Sequence, residues 1–273
     1  MTRKSAPPSN EDIWRKYDSV EQRLSAHLTE RMLELGKLRQ GMHVLDLATG
    51  RGDPAIPAAK RVFPGGNVVG VDIDRSVLQI AREKANREGV SNLELIVSDV
   101  ETIEGIPQRV FDVALARWGF MYVQRPIHAM RTVRRALAAD GILVAAVWID
   151  PDQASFFNLP RAALSNIAPS QLIDNDDRGT FYYSDLGRLT RDLEAAEFEV
   201  KHTETLKVDV IEVTSDDELI AWAQAFGMSR LLQGLSSCEQ LAWESELISA
   251  AEPYRTAEGN IRLGGLSRIV VAT

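Results

Sequence analysis

Apolar positions recur every three or four residues at Tyr17, Val20, Leu24, Leu28, Met32 and Leu35, a helical spacing that runs to about Leu38. Ser9 or Asn10 offers an N-cap, with Glu11 and Asp12 in the first turn, and the length of the stretch predicts two helices. Residues 1–10, with two prolines among Ser and Thr, read as a loose tail. The period then changes. HVLDLA (43–48) is a short apolar strand, and PAIPAAKRVF (54–63) is a helix that stops before Pro64-Gly65-Gly66. The same alternation follows in NVVGVDID (67–74), RSVLQIAREKANREG (75–89), LELIVSDV (93–100) and FDVALARW (111–118). It continues with the helix PIHAMRTVRRALAADG (126–141) and the strand ILVAAVWI (142–149). Strands apolar throughout and separated by helices predict a parallel sheet covered on both faces.

After Asp150 the regularity breaks. Residues 151–183 are mixed, 184–198 form a capped helix starting at Ser184 or Asp185, and 199–211 alternate as a long, partly exposed strand. Residues 214–257 read as helical, and NIRLGGLSRIVVAT (260–273) is a last strand. The expected organisation is one α/β domain: a helical cap (1–40), a ligand-binding core (41–150), a lid insertion (151–183), and the rest of the sheet (184–273) with a helical insertion at about 214–257. The fold class is a doubly wound, Rossmann-like sheet.

Composition narrows the chemistry. The net charge of −8 disfavours a broad phosphate-binding surface, so nucleic acid is not an expected partner. Arg131, Arg134 and Arg135 read as the solvated face of a helix. Cys238 is the only cysteine, so no intramolecular disulfide or thiolate metal site forms, and a reducing, cytoplasmic setting fits. No apolar run is long enough to span a membrane, and the N-terminus lacks the apolar core of a signal peptide.

In an open parallel sheet the ligand sits beyond the carboxyl ends of the strands, where chain direction switches. Three strands deliver acids there: Asp46 before Thr49-Gly50-Arg51-Gly52-Asp53, then Asp72-Ile73, then Asp99-Val100. The fourth ends in Arg117-Trp118. Gly50 and Gly52 allow a sharp turn and close approach of a ligand. Asp53-Pro54 reads as N-cap plus first-turn proline, and Pro57 is awkward for lack of an N–H. The loop also fits the dinucleotide spacing G-x-G-x-x-G/A, which leaves a nicotinamide oxidoreductase open. A diphosphate beside Asp46 and Asp53 carries a Coulomb cost, however. A ligand with a ribose, an ammonium and a sulfonium suits these acids better, with Asp72 on the ribose hydroxyls and Asp99 on an adenine amino group.

These motifs resemble those of the class I S-adenosylmethionine-dependent methyltransferases, and are similar to the ubiquinone/menaquinone C-methyltransferase type. The family loop D/E-x-G-x-G-x-G reads here Asp46-Leu47-Ala48-Thr49-Gly50-Arg51-Gly52, with Ala48 departing at the first glycine. The likeness is detailed over about residues 40–150. It implies a seven-stranded sheet with an antiparallel final strand, a lid over the methyl donor, and S-adenosylmethionine as cofactor, leaving S-adenosylhomocysteine. The cofactor residues it implies are Asp46, Ala48, Thr49, Gly50, Gly52, Asp53, Asp72, Ile73, Asp99, Val100 and Arg117. A non-catalytic member of the fold that binds the donor is the other reading.

The acceptor is expected between the loop after the fourth strand and the lid. Eight of the eighteen aromatic residues fall near it in sequence, and Trp118, Phe120, Tyr122 and Phe157 are the expected substrate contacts, pointing to a small hydrophobic or aromatic metabolite. ARWGF after the fourth strand lacks the Asn/Asp-Pro-Pro-aromatic motif of planar-amine methylation. Asp150 and Asp152 follow the fifth strand, but Arg117 ends the fourth, so no metal is expected. Asp174, Asp176 and Asp177 lack calcium-loop spacing. Tyr17 and His27 are weak candidates for a catalytic base; His43, His128 and His202 are weaker. A homodimer is left open.

Overall fold

The computed structural model describes residues 10–103, 106–172 and 179–273. Ser9 as an N-cap, the loose tail before it, and the acids Asp174, Asp176 and Asp177 lie outside the described residues. Seven strands form one sheet in the order β3-β2-β1-β4-β5-β7-β6. They are β1 (His43–Leu47), β2 (Asn67–Asp72), β3 (Leu93–Val97), β4 (Phe111–Arg117), β5 (Leu137–Trp148), β6 (Val200–Val213) and β7 (Ile261–Ala272). The pairings β1–β2, β2–β3, β1–β4 and β4–β5 are parallel, and β5–β7 is antiparallel.

The chain divides into two compact units. The first comprises Ala26–Asp150, Asp176–Lys207 and Leu266–Thr273. Its helices are α2 (Ala55–Val62), α3 (Arg75–Arg87), α4 (Pro126–Ala136) and α6 (Leu186–Ala195). From β1 the chain steps outward through α2 to β2 and through α3 to β3, then returns to β4 on the other side of β1. Right-handed crossovers therefore put α2 and α3 on one face and α4 on the other. The reversal between β1 and β4 is the switch point, and their carboxyl ends are where a ligand crevice belongs.

The second unit comprises Met1–Ser25, Pro151–Asn175 and Val208–Gly265. It holds α5 (Ser155–Ser165), α7 (Asp216–Ala223), a kink at Gln224–Met228 where Phe226 and Gly227 leave helical backbone, the short α8 (Ser229–Leu232) and α9 (Ser237–Ala251). Its core gathers Trp222, Trp243, Leu164, Leu219 and Leu247. Trp243 is fully buried and donates its indole N–H to the Pro160 carbonyl at 2.9 Å, the partner a buried indole needs.

Several expectations need correction. The N-terminal stretch is one helix, α1 (Asn10–Leu35), not two. Residues 26–40, expected with the cap, belong with the sheet unit. Thr29 bonds Asp53, His27 bonds the Lys207 carbonyl, and Arg31 reaches Glu204, so the second half of α1 is tied there by side chains rather than by its apolar stripe alone. The helix after Pro126 ends at Ala136, not at 141. Leu137 already pairs with Phe111, and the register then shifts so that Val113 faces Ile142. Asp53 does not cap α2: Pro54 occupies the N-cap position, with no side-chain cap. Pro57, as expected, interrupts the first turn: the Ile56 and Ala58 amides on either side donate to the Gly52 and Pro54 carbonyls, and Pro57 has no N–H for the bond between them.

Candidate functional site

β1 is buried from Val44 onward, and its last turn outward brings Asp46 to the switch point fully buried, at 0% exposure. Thr49 Oγ1 donates to Asp46 Oδ2 at 2.6 Å, while Oδ1 has no hydrogen-bond partner among the described residues. Burial, and secondarily the neighbouring Asp53 charge, push the Asp46 carboxyl up to about 7; the Thr49 bond, Arg117 and the Ala55 amide act against this. A buried acceptor left without a donor is a costly feature unless a ligand supplies one.

The glycine turn follows. Ala48 and Gly50 both take left-handed backbone, at φ 51° and 53°. Ala48 therefore stands where glycine is favoured, and its Cβ is accommodated because Gly119 faces it: a Cβ on Gly119 would come within 2.9 Å of it. A Cβ on Gly50 would meet no atom closer than 4.0 Å, so this position opens a cradle rather than filling one. Gly52 differs. Its missing Cβ makes room for Ile56, 2.8 Å away, so it serves the packing of α2 more than the approach of a ligand.

Asp72 ends β2 half-buried. Its Oδ2 accepts from the Gly50 amide at 2.8 Å and its Oδ1 from the Asp74 amide at 2.9 Å, which fixes the carboxylate and leaves further lone pairs outward. Burial raises its pKa, against the opposing effect of those amides. Ile73 beside it is 71% exposed, an apolar side chain presented to whatever lies over the turn. The Ser98 amide donates to the Asp72 carbonyl at 2.9 Å, which brings the exposed Asp99 and half-buried Val100 to the same edge. Asp99 Oδ1 accepts from the Glu101 amide at 2.8 Å.

On the other side of the switch point, β4 delivers Arg117 and Trp118. Arg117 Nη1 lies 3.3 Å from Asp53 Oδ2, with side chains 7% and 6% exposed. Thr29 of α1 donates to Asp53 Oδ1 at 2.8 Å. Trp118 has φ 59°, a strained conformation for a bulky residue, and strain of this kind persists where the surroundings over-determine it. Those surroundings are Trp148, stacked at 4.5 Å, the Arg117 guanidinium 4.6 Å from the ring centroid, and Ser267, whose Oγ accepts from the indole N–H at 3.0 Å.

The structure thus brings Asp46, Ala48, Thr49, Gly50, Gly52, Asp53, Asp72, Ile73, Asp99, Val100, Arg117 and Trp118 to one edge of the sheet. The remaining candidates have the following surroundings. Tyr17 is buried in the hydrophobic core of the second unit, as the apolar stripe of its helix dictates. His27 is exposed, with Nε2 2.9 Å from the Lys207 carbonyl, an arrangement that makes the ring a donor along the sheet. Phe120 is 2% exposed and is core. Tyr122 is exposed, its hydroxyl 3.1 Å from Thr180 Oγ1. Phe157 belongs to the second unit, under the Arg161 guanidinium. Thr29, Trp148 and Ser267 escaped the sequence reading, since each acts through a partner distant in the chain.

A family model described as a methyltransferase domain matches residues 38–168. The ubiquinone/menaquinone biosynthesis C-methyltransferase UbiE of Pseudomonas entomophila is 30% identical over 215 residues, covering 74% of this chain and 77% of that protein. The aklanonic acid methyltransferase DauC of a Streptomyces species is 31% identical over 114 residues, 42% of this chain and 51% of that one. Among solved structures, a SAM-dependent methyltransferase from Aquifex aeolicus superposes with a TM-score of 0.54 at 21% identity, covering 72% of this chain and 92% of that one.

Proposed function

We propose, from the premise that the chain belongs to the class I S-adenosylmethionine-dependent methyltransferases, that it methylates an O, N or C atom of a small, hydrophobic or aromatic metabolite. The donor is S-adenosylmethionine, which brings a methyl group already activated on a sulfonium. The residues at the switch point fit it. The unpartnered Asp46 Oδ1 can accept from the donor's ammonium, and the open cradle at Gly50 leaves room for the chain that joins it to the ribose. Asp72, held by two amides, is oriented for the ribose hydroxyls. Ile73 offers an apolar surface to the adenine ring, and Asp99 an acceptor for its amino group. Phosphate has no place in this set, which argues against the nicotinamide reading.

The observation that carries the acceptor class is Trp118. A half-exposed indole held in strained backbone and stacked on a second indole supplies a rigid flat wall at the end of β4. Relatives support small-molecule chemistry: one is named for ubiquinone/menaquinone biosynthesis, another for aklanonic acid. Tyr17 is buried in the apolar core of its own unit and His27 is bonded to the Lys207 carbonyl, so this reading assigns neither as a base and rests catalysis on alignment and exclusion of water.

Calorimetric titration with S-adenosylhomocysteine and separately with NADH tests the donor, with Asp72→Ala as the control. Binding of the first alone, weakened tenfold or more in the variant (roughly 1.4 kcal/mol), is expected. Methyl transfer from labelled donor to a panel of quinols, phenols and polycyclic aromatic acids then tests the acceptor. Turnover confined to charged, non-aromatic amines would overturn that part.

A further inference from the structure

The switch point holds more buried charge than a donor contact requires. Asp46, Asp53 and Arg117 all lie there, Asp46 at 0% exposure and the other two side chains at 6% and 7%. Both Asp53 oxygens are engaged within the protein, Oδ1 by Thr29 and Oδ2 by Arg117. The loop residue that sequence alone assigns to the ligand is therefore committed to a helix and a guanidinium. Asp46 is not: Thr49 takes one oxygen and the other is orphaned. With all three ionised, Arg117 and Asp53 neutralise one another and a single negative charge remains, on Asp46.

We propose that Asp53 is the counter-ion of Arg117 rather than a donor ligand, and that this pairing leaves Asp46 as the uncompensated charge that biases the site toward the cationic donor over its neutral by-product. The inference rests on the donor assignment above. In the transfer, an electron pair of the acceptor forms the new bond to the methyl carbon as the carbon–sulfur bond breaks. The bonding pair stays on sulfur, the acceptor's proton leaves to solvent, and the sulfonium becomes a neutral thioether. The ligand thus loses one positive charge on turnover. A site carrying one net negative charge in a water-poor setting feels that loss strongly, whereas a site of zero net charge does not. Were Asp53 neutral, the buried guanidinium would cancel Asp46 and the bias would go.

The test is calorimetric binding of S-adenosylmethionine and S-adenosylhomocysteine at pH 8.5, where Asp46 is ionised. The quantity read is the ratio of the by-product Kd to the donor Kd. Asp53→Asn keeps the shape and the acceptor for Thr29 but removes the charge; the ratio should fall tenfold or more, mostly through weaker donor binding. Adding Arg117→Gln to it restores one net negative charge and should return the ratio to within threefold of the native value. Equal weakening of both ligands in Asp53→Asn, an unchanged ratio, or a double variant that stays at the single variant's ratio would each overturn the proposal. Should Asp53→Asn not fold by circular dichroism, Arg117→Gln alone reads the same quantity with opposite sign: the ratio rises threefold or more, and no rise overturns it. A native protein that binds neither ligand would refute the donor assignment itself, an outcome visible before any variant is made.

Discussion

Asp46 shows how a residue can serve function against stability. Its carboxyl is pushed up to about 7, chiefly by burial, from an ordinary value near 4. An acid whose folded pKa lies above its unfolded one stabilises the fold fully only below the unfolded value. That contribution drains away as pH rises from about 4 through about 7. Asp46→Asn keeps an acceptor for Thr49 and removes the titration. The variant should match the native protein at pH 4 and exceed it at pH 8 by on the order of a few kcal/mol, while losing affinity for the donor. Urea unfolding at the two pH values checks this; a stability difference that is the same at both would mean Asp46 does not titrate in that window. Ala48 belongs to the same scale. Its left-handed φ lies in the region that favours glycine, and the absence of a side chain on Gly119 explains why alanine is tolerated here.

At the scale of elements, Thr29 gives α1 a role that its apolar stripe does not reveal. The stripe packs the helix, and Thr29 fixes the loop after β1 by bonding Asp53. Thr29→Val keeps the shape and removes the donor, leaving a buried carboxylate oxygen unsatisfied. The expected cost is about 1–3 kcal/mol in chemical denaturation. Donor and by-product binding should weaken together, since position and not charge is disturbed; selective loss of donor binding would count against this. The parallel strands were legible in the sequence because each is an apolar run bounded by turns, and the strand ends named the acids at the site. Leu137–Asp140 was not, since Leu-Ala-Ala-Asp continues a helical pattern and only pairing with Phe111 makes it strand. Asp53 before Pro54 looks like a cap, and nothing local announces Arg117 and Thr29 as its partners. Periodicity placed Tyr17 on an apolar stripe, and the core of the second unit is where that stripe led it. What sequence missed were long-range pairings of single side chains, which carry no period.

At the scale of the whole molecule, the division into two units does not coincide with the ends of elements. α1 passes from one unit to the other after Ser25, β6 after Lys207 and β7 after Gly265. Each is a continuous hydrogen-bonded element, and helix and strand formation is cooperative along its length, so loss of one half removes the neighbours that hold the other. The units should therefore unfold in a single transition despite having separate cores. Probes are at hand: Trp118 and Trp148 report the sheet unit, Trp222 and Trp243 the other. With Trp14, the fifth tryptophan, replaced by phenylalanine in the background, replacing either pair with phenylalanine isolates the emission of the remaining one, and both variants should melt with the same midpoint as far-ultraviolet circular dichroism. S-adenosylhomocysteine at about a hundred times its Kd adds about 2.7 kcal/mol to whatever unfolds with its site. If the molecule is one cooperative unit, the ligand shifts the Trp222–Trp243 signal as far as the Trp118–Trp148 signal. A shift confined to the sheet pair would show that the elements uncouple at the division and that the second unit has a stability of its own.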